Sequence, residues 1–311
     1  MQLLQGYLQR VVNGINKSKM VKTLNTFQIN IAGIIIRIDS QIDFSRFADI
    51  SFYNGFISRV KAPHCKLFLK NELSPALELG SPIFNPAGNW QLFKMRDGKI
   101  ALNAGRVFGR NRFDELIVCN SDYSRGVIYK KEISELFRRF FDQFIIINIL
   151  SAKKGFLLHS SGVIWQEKGL CFSGRSGVGK TTLIRLFEKE TDRRDLLSDD
   201  RLAIRRIGGK WHVFGTPWHG DAPVASSKGA VLKALFFIRH SSRNSLRKLS
   251  SFECCRQLMT HGFVPYWDEE AVQRVLDSFN LIAKEVPAFE MGFLPDKRIL
   301  RVIDKEAFKD S

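Results

Sequence analysis

The stretch FSGRSGVGKTTLIRLFEKE (residues 172–190) decides how this chain is read. A short apolar strand runs into a glycine-rich turn, and the turn opens straight into a helix. Gly174-Arg175-Ser176-Gly177-Val178-Gly179-Lys180-Thr181 fits G-x-x-x-x-G-K-[ST], the P-loop pattern, at every fixed position. The glycines let backbone N–H groups turn inward onto phosphate oxygens, where a Cβ would clash. The helix starting near Gly179 adds its partial positive charge. Lys180 is expected to reach the β- and γ-phosphates and Thr181 to offer its hydroxyl to Mg²⁺, so Gly174 to Thr182 is the expected nucleotide-binding segment. Leu183, Ile184, Leu186 and Phe187 give the helix a buried face, which a bare glycine turn does not need.

Outward from this loop, Asp199-Asp200 stands at the end of a short strand over Asp195 to Ser198. A carboxylate there commonly holds Mg²⁺ or a nucleophile, though a solvated turn or a helix cap with Arg201 as ion-pair partner reads equally well. His159 precedes Gly174 by fifteen residues, and a lone histidine beside an apolar stretch is ordinarily a core or edge residue. The segment GTPWHGD (215–221) mixes glycines, a proline, Trp218, His219 and Asp221, as loops lining a site often do; Trp218 could equally plug a core.

The chain has 311 residues, 44% hydrophobic and 25% charged, which suits a globular protein of two domains. Its net charge of +17 is spread, with +9 in residues 1–150 and +8 in residues 151–311. That distribution lacks the basic stripe of a nucleic-acid binder, so nucleic acid is not the expected partner. Five cysteines form no C-x-x-C pair and no zinc-ligand spacing, as in a reducing compartment. Gln2, Gln5, Gln9 and Arg10 interrupt any leader-like apolar region, and Phe144 to Ile147 is far too short to span a bilayer. A cytoplasmic location without a transmembrane segment is expected.

Residues 1–20 read as a basic amphipathic N-terminal extension. From there to 130 the text is strand-like: two strands around Ala32-Gly33, a hairpin around Asp97-Gly98, then ELIVCN and GVIYKK. Ile133, Leu136, Phe137, Phe140, Phe141, Phe144 and Ile145 fall at helical spacing and predict an amphipathic helix opening a second domain, 131–311. GFLLHSSGVIW reads as a strand pair, HSSRNSLRKLSS as a basic loop, and 252–261 and 267–285 as helices. The fold class is α/β: a P-loop catalytic domain preceded by a smaller β-rich domain (21–130) that is free to recruit substrate.

Taken together, the histidine, the P-loop and SDDR at these spacings resemble the catalytic domain of the HPr kinase/phosphorylase family, whose nucleotide domain is similar to that of phosphoenolpyruvate carboxykinase. LHSS, SDD and GTPW-x-G resemble most the HPr-kinase-related proteins outside the sugar-uptake system, over roughly residues 131–300. The resemblance implies an ATP- and Mg²⁺-dependent kinase phosphorylating a Ser or Thr hydroxyl of a peptide or protein. Asp199 would be the general base, Asp200 its support or a metal ligand, His159 a neighbour of the γ-phosphate, and Asp221 a second metal ligand. The family also implies a homo-oligomer. An RGLG-type signature after the acidic pair is absent, so neither HPr itself nor the reverse reaction is expected. The alternatives are a small-molecule phosphotransferase and a non-kinase P-loop NTPase switch; against the switch, neither N-K-x-D nor L-S-G-G-Q occurs.

Overall fold

A computed structural model describes residues 24–60, 62–86, 90–109, 112–137, 141–192, 195–220 and 222–308. The extension read over 1–20, and Phe140 and Asp221, lie outside the described residues.

Isoleucine-rich repeats build the first sheet. β1 (Asn25–Ile31) and β2 (Ile34–Ser40) pair antiparallel about Ala32-Gly33, both at positive φ (53° and 77°), the backbone of a tight primed hairpin turn. β3 (Cys65–Lys70), β4 (Gln91–Lys94), β5 (Ile100–Asn103), β8 (Glu115–Cys119) and β9 (Arg125–Lys130) complete seven strands in the order β1-β2-β3-β9-β8-β5-β4. β6 (Val107–Phe108) and β7 (Arg112–Phe113) form a separate ribbon.

The second sheet has nine strands: β10 (Gly155–Trp165), β11 (Lys168–Ser173), β12 (Leu196–Ser198), β13 (Arg201–Ile207), β14 (Lys210–Phe214), β15 (Gly229–His240), β16 (Ser245–Lys248), β17 (Gly262–Phe263) and β18 (Ala288–Phe293). β11 pairs antiparallel with β10 and parallel with β15, so β10, β13, β14, β15 and β11 close a ring. β10 serves two neighbours in turn: Gly155 to His159 pair with β13, and Ser160 to Trp165 pair with β11. His159 stands at that change of partner.

Five helices complete this mixed α/β arrangement among the described residues: α1 (Phe141–Ala152), α2 (Lys180–Glu188), α3 (Ser251–His261), α4 (Glu269–Glu285) and α5 (Arg298–Ala307). Ser250 and Glu253 close a capping box on α3, and Asp268 caps α4. α1 is buried along most of its length, polar Asp142, Asn148 and Ser151 included, and its Phe144, Ile146 and Leu150 share one core with Ile29, Ile36 and Leu67 of the first sheet. Leu157, Ala203 and Trp218 belong to the same core. The largest apolar cluster therefore runs across residue 130, where the sequence suggested a boundary.

Three local readings change. The helix expected from Ile133 does not form over Ile133 to Phe137, where the N–H groups of Leu136 and Phe137 donate to the Asp49 carboxylate (2.7 and 3.0 Å); among the described residues it runs over Phe141–Ala152. GFLLHSSGVIW is one eleven-residue strand rather than a pair, since β13 and then β11 satisfy its backbone without a turn. Within the segment read as a basic loop, Ser245 to Lys248 form β16 against β18.

Candidate functional site

β11 delivers the chain to Gly174, and α2 takes over at Lys180. Between them the backbone turns at Gly177 and Gly179, with φ of 77° and 105°, the left-handed region that other residues enter at a cost. A Cβ on Gly179 would also lie 2.9 Å from the Phe293 ring. The turn leaves Lys180 folded back over it, its Nζ donating to the carbonyls of Gly174 (2.8 Å) and Arg175 (3.1 Å). Burial pulls the Lys180 ammonium below the ordinary lysine range, and the Asp200 and Asp199 charges offset this only in part.

β12 brings the acidic pair to the same place, and its two members face different partners. Asp199 is buried and its carboxylate accepts three hydrogen bonds. Its Oδ2 accepts from the Thr181 hydroxyl (2.9 Å) and the Ala222 N–H (3.1 Å), and its Oδ1 from the Ser161 hydroxyl (3.1 Å). Asp200 faces a histidine and an arginine: His159 Nδ1 lies 3.1 Å from Oδ1, and the Arg201 guanidinium donates to Oδ2 at 2.7 Å. His159 Nδ1 also lies 3.0 Å from the Asp200 carbonyl, and two acceptors place the ring proton on that nitrogen. Burial pushes the Asp200 carboxyl up, but the His159 hydrogen bond and the charges of Arg201, His159 and Lys180 hold it below the usual carboxylate value.

The 215–222 segment runs beside this pair. Gly215 is walled in by backbone: a Cβ there would lie 2.0 Å from the Ser226 carbonyl and 2.5 Å from that of Leu197. The Thr216 hydroxyl donates to the Arg201 carbonyl (2.6 Å), and the Trp218 carbonyl accepts from Ser198 (2.9 Å). Trp218 fills the shared core and also donates its indole N–H to Asp142 (2.6 Å), so it is both plug and tie. His219 is exposed, with its ring edge-on to Phe52 at 5.9 Å.

These elements enclose a cleft of about 410 Å³. Among the residues that the sequence singled out, Lys180, Thr181, Thr182, Asp199, Asp200 and His159 line it, with Ser176, Gly177, Gly179 and Gly220. Val178 instead packs into the apolar core beneath the loop, and Arg175 is exposed. Ser161 and His261 carry no motif of their own, whereas Arg201 closes SDDR and is the ion-pair partner expected for the acidic pair. Ser161 hides within the LHSS segment, and alternation along β10 is the only hint that it would reach Asp199. Arg201 lays its guanidinium over Phe263, 5.2 Å from the ring centroid. His261 ends α3 beside β10, where β17 pairs Gly262 with Leu158. Burial and the neighbouring His159, Lys180 and Arg175 charges push its imidazole down to about 4. Only the strand register could have found it.

The Thr181 hydroxyl and the two carboxylates are hard oxygen donors of the kind that suits Mg²⁺. Among the described residues no cluster of three or more His, Cys, Asp or Glu could cage a metal alone.

No family model matches the chain, and no curated protein matches it. Among solved structures, the Hpr(Ser) kinase/phosphatase from Coxiella burnetii is similar over 49% of this chain and 91% of its own, with a TM-score of 0.31 and 9% identity. This is a weak likeness, to one neighbour that is a kinase/phosphatase.

Proposed function

We propose that the chain is an ATP- and Mg²⁺-dependent kinase that transfers the γ-phosphate to a Ser or Thr hydroxyl of a peptide or protein, through a P-loop formed by Gly174 to Thr182. One observation carries the reading: a single cleft gathers a glycine loop with a buried lysine, a threonine hydroxyl bonded to one carboxylate, and a second carboxylate held by a histidine and an arginine. Phosphoryl transfer asks for positioning and charge neutralisation more than for covalent chemistry, and these groups can supply both.

The backbone N–H groups at the start of α2 would take up phosphate oxygens. Lys180 would exchange its two carbonyl partners for β- and γ-oxygens. Thr181 and Asp199 would hold Mg²⁺, with Asp200 at its edge; the ion, when bound, supplies charge neutralisation on the phosphates. The hydrogen bonds favour a division of labour opposite to the one that the resemblance implies. Asp199, with three donors already on its two oxygens, is poorly placed to take a proton. Asp200 would be the carboxylate that receives the acceptor's proton, with His159 orienting it. A carboxylate of low basicity suffices where the hydroxyl proton leaves late in a loose transition state.

The exposed Phe52 and His219 rings and the basic excess of the chain favour an acidic peptide or protein over a small acceptor. Radiolabelled Mg·ATP tests the proposal: the wild-type chain should bind it in titration calorimetry and turn over its γ-phosphate, and Lys180→Met should not turn it over. Equal turnover by that variant would remove the loop from the chemistry.

A further inference from the structure

Tyr53 and Trp218 are far apart in sequence, yet both donate to the same carboxylate oxygen. Tyr53 belongs to the 3₁₀ helix Ile50–Phe56 of the β-rich half, and Trp218 to the loop beside the cleft. The Tyr53 hydroxyl reaches Asp142 Oδ2 at 2.7 Å and the Trp218 indole N–H reaches it at 2.6 Å, while Oδ1 accepts from the Gln143 N–H at 2.8 Å. Asp142 is 1% exposed. If this position had only to fill space beneath α1, an apolar side chain would serve without the cost of desolvating a carboxyl. What a carboxylate adds is a fixed meeting point for two donors.

Both ends of this junction are themselves anchored. Asp49, at the start of the 3₁₀ helix, accepts from the Leu136 and Phe137 N–H groups and so fixes the helix to the segment entering α1. From Trp218 the loop continues to Ala222, whose N–H is one of the three donors on Asp199. Tyr53 and Trp218 thus meet at Asp142, and Ala222, four residues along the chain from Trp218, meets Asp199.

We propose that Asp142 is a positioning residue that braces the 215–222 loop from the β-rich half, so that Tyr53 and Trp218 together keep the Ala222 N–H on Asp199. The brace stands whatever the cleft binds; only its consequence for phosphoryl transfer rests on the proposed function.

Amide hydrogen exchange on the full-length chain tests it with Tyr53→Phe, Trp218→Phe and the double variant. Tyr53→Phe removes only the hydroxyl, since the ring stays packed between Phe27 and Phe137. Each single variant should exchange about ten-fold faster in peptides covering 215–226, because a hydrogen bond to a charged group is lost. Exchange across 34–40 and 180–188 should match the wild type. The double variant should be little worse than the worse single one, because both losses act through one carboxylate. Unchanged loop exchange overturns the proposal, as does acceleration spread evenly over the chain or strictly additive effects. If Trp218→Phe does not fold, Tyr53→Phe alone decides by whether its acceleration is confined to the loop. Mg·ATP turnover by Tyr53→Phe should fall while Mg·ATP affinity stays within about two-fold. A wild-type chain without turnover would sink the kinase reading and leave the exchange result to judge the brace.

Discussion

The glycine turn at 174–181 is shaped by its own residues, whereas the 215–222 loop beside the same cleft takes its shape from residues elsewhere in the chain. In the turn, Lys180 bonds to carbonyls five and six residues back, and Val178 N–H to the Arg175 carbonyl. In the loop, the partners of Thr216, Trp218 and Ala222 lie 15 to 76 residues away, on Arg201, Ser198, Asp199 and Asp142. A locally encoded turn keeps its form when its surroundings are disturbed. A loop held from outside moves when any anchor is lost.

The sharpest separation of chemistry from structure is Lys180→Met. It should lower Mg·ATP turnover by about 10³-fold, the range found when one charge-stabilising donor is removed. The far-ultraviolet circular dichroism spectrum should not change, because β11 and α2 on either side of the turn keep their own backbone hydrogen bonds.

Asp142 and Gly215 test the loop's outside support. Burial pushes the Asp142 carboxyl up to about 6, against the lowering effect of hydrogen bonds from Tyr53, Trp218 and the Gln143 N–H; the nearby Asp49 charge adds to the rise. The folded state therefore holds a proton that the unfolded state has already released between about pH 4 and 6. Stability from this group is lost as pH rises through that window. Asp142→Asn, which carries no titrating proton, should gain on the wild type by on the order of 3 kcal/mol between pH 4 and pH 7.5. Urea denaturation at both pH values measures it, and a constant difference between the two proteins would contradict it. Gly215→Ala should cost about 3 kcal/mol, since the walls around it are backbone carbonyls that cannot swing aside.

Gly177→Ala is the matching change in the locally encoded turn and should cost less, about 1 kcal/mol. Nothing lies within 4 Å of the added Cβ, so only the left-handed φ of 77° is paid for. Thermal unfolding of the two glycine variants side by side reads the contrast directly. Equal losses would mean that the two loops are held alike.

The same contrast separates what was readable in the sequence from what was not. β1 and β2 were legible because Ala32-Gly33 interrupts two isoleucine-rich runs. Ile133 to Phe137 were misread as helix because their spacing is helical, while the Leu136 backbone found a partner in the Asp49 carboxylate, 87 residues away. β16 was missed because a polar, basic segment gives no alternation, yet β18 offered it an edge. At the cleft, Lys180, Thr181, Asp199, Asp200 and His159 could be named in advance because each sits in a pattern of fixed spacing. Arg201 could be named too, as the ion-pair partner that follows the acidic pair. Ser161, His261 and, behind the cleft, Asp142 could not, since each enters through the register of β10 or the packing of α1.

The sequence by itself determined the glycine turn, the lysine and threonine that follow it, and the acidic pair after a short strand. These depend on backbone preferences and spacings of a few residues. Only the tertiary structure decided which carboxylate of the pair takes three hydrogen bonds and which meets His159 and Arg201, and that Tyr53 of the β-rich half meets Trp218 at Asp142. Those outcomes depend on which side chains share a buried space. Hydrogen bonds between groups from distant parts of the chain settle that, and their partners leave no mark on one another in the order of residues.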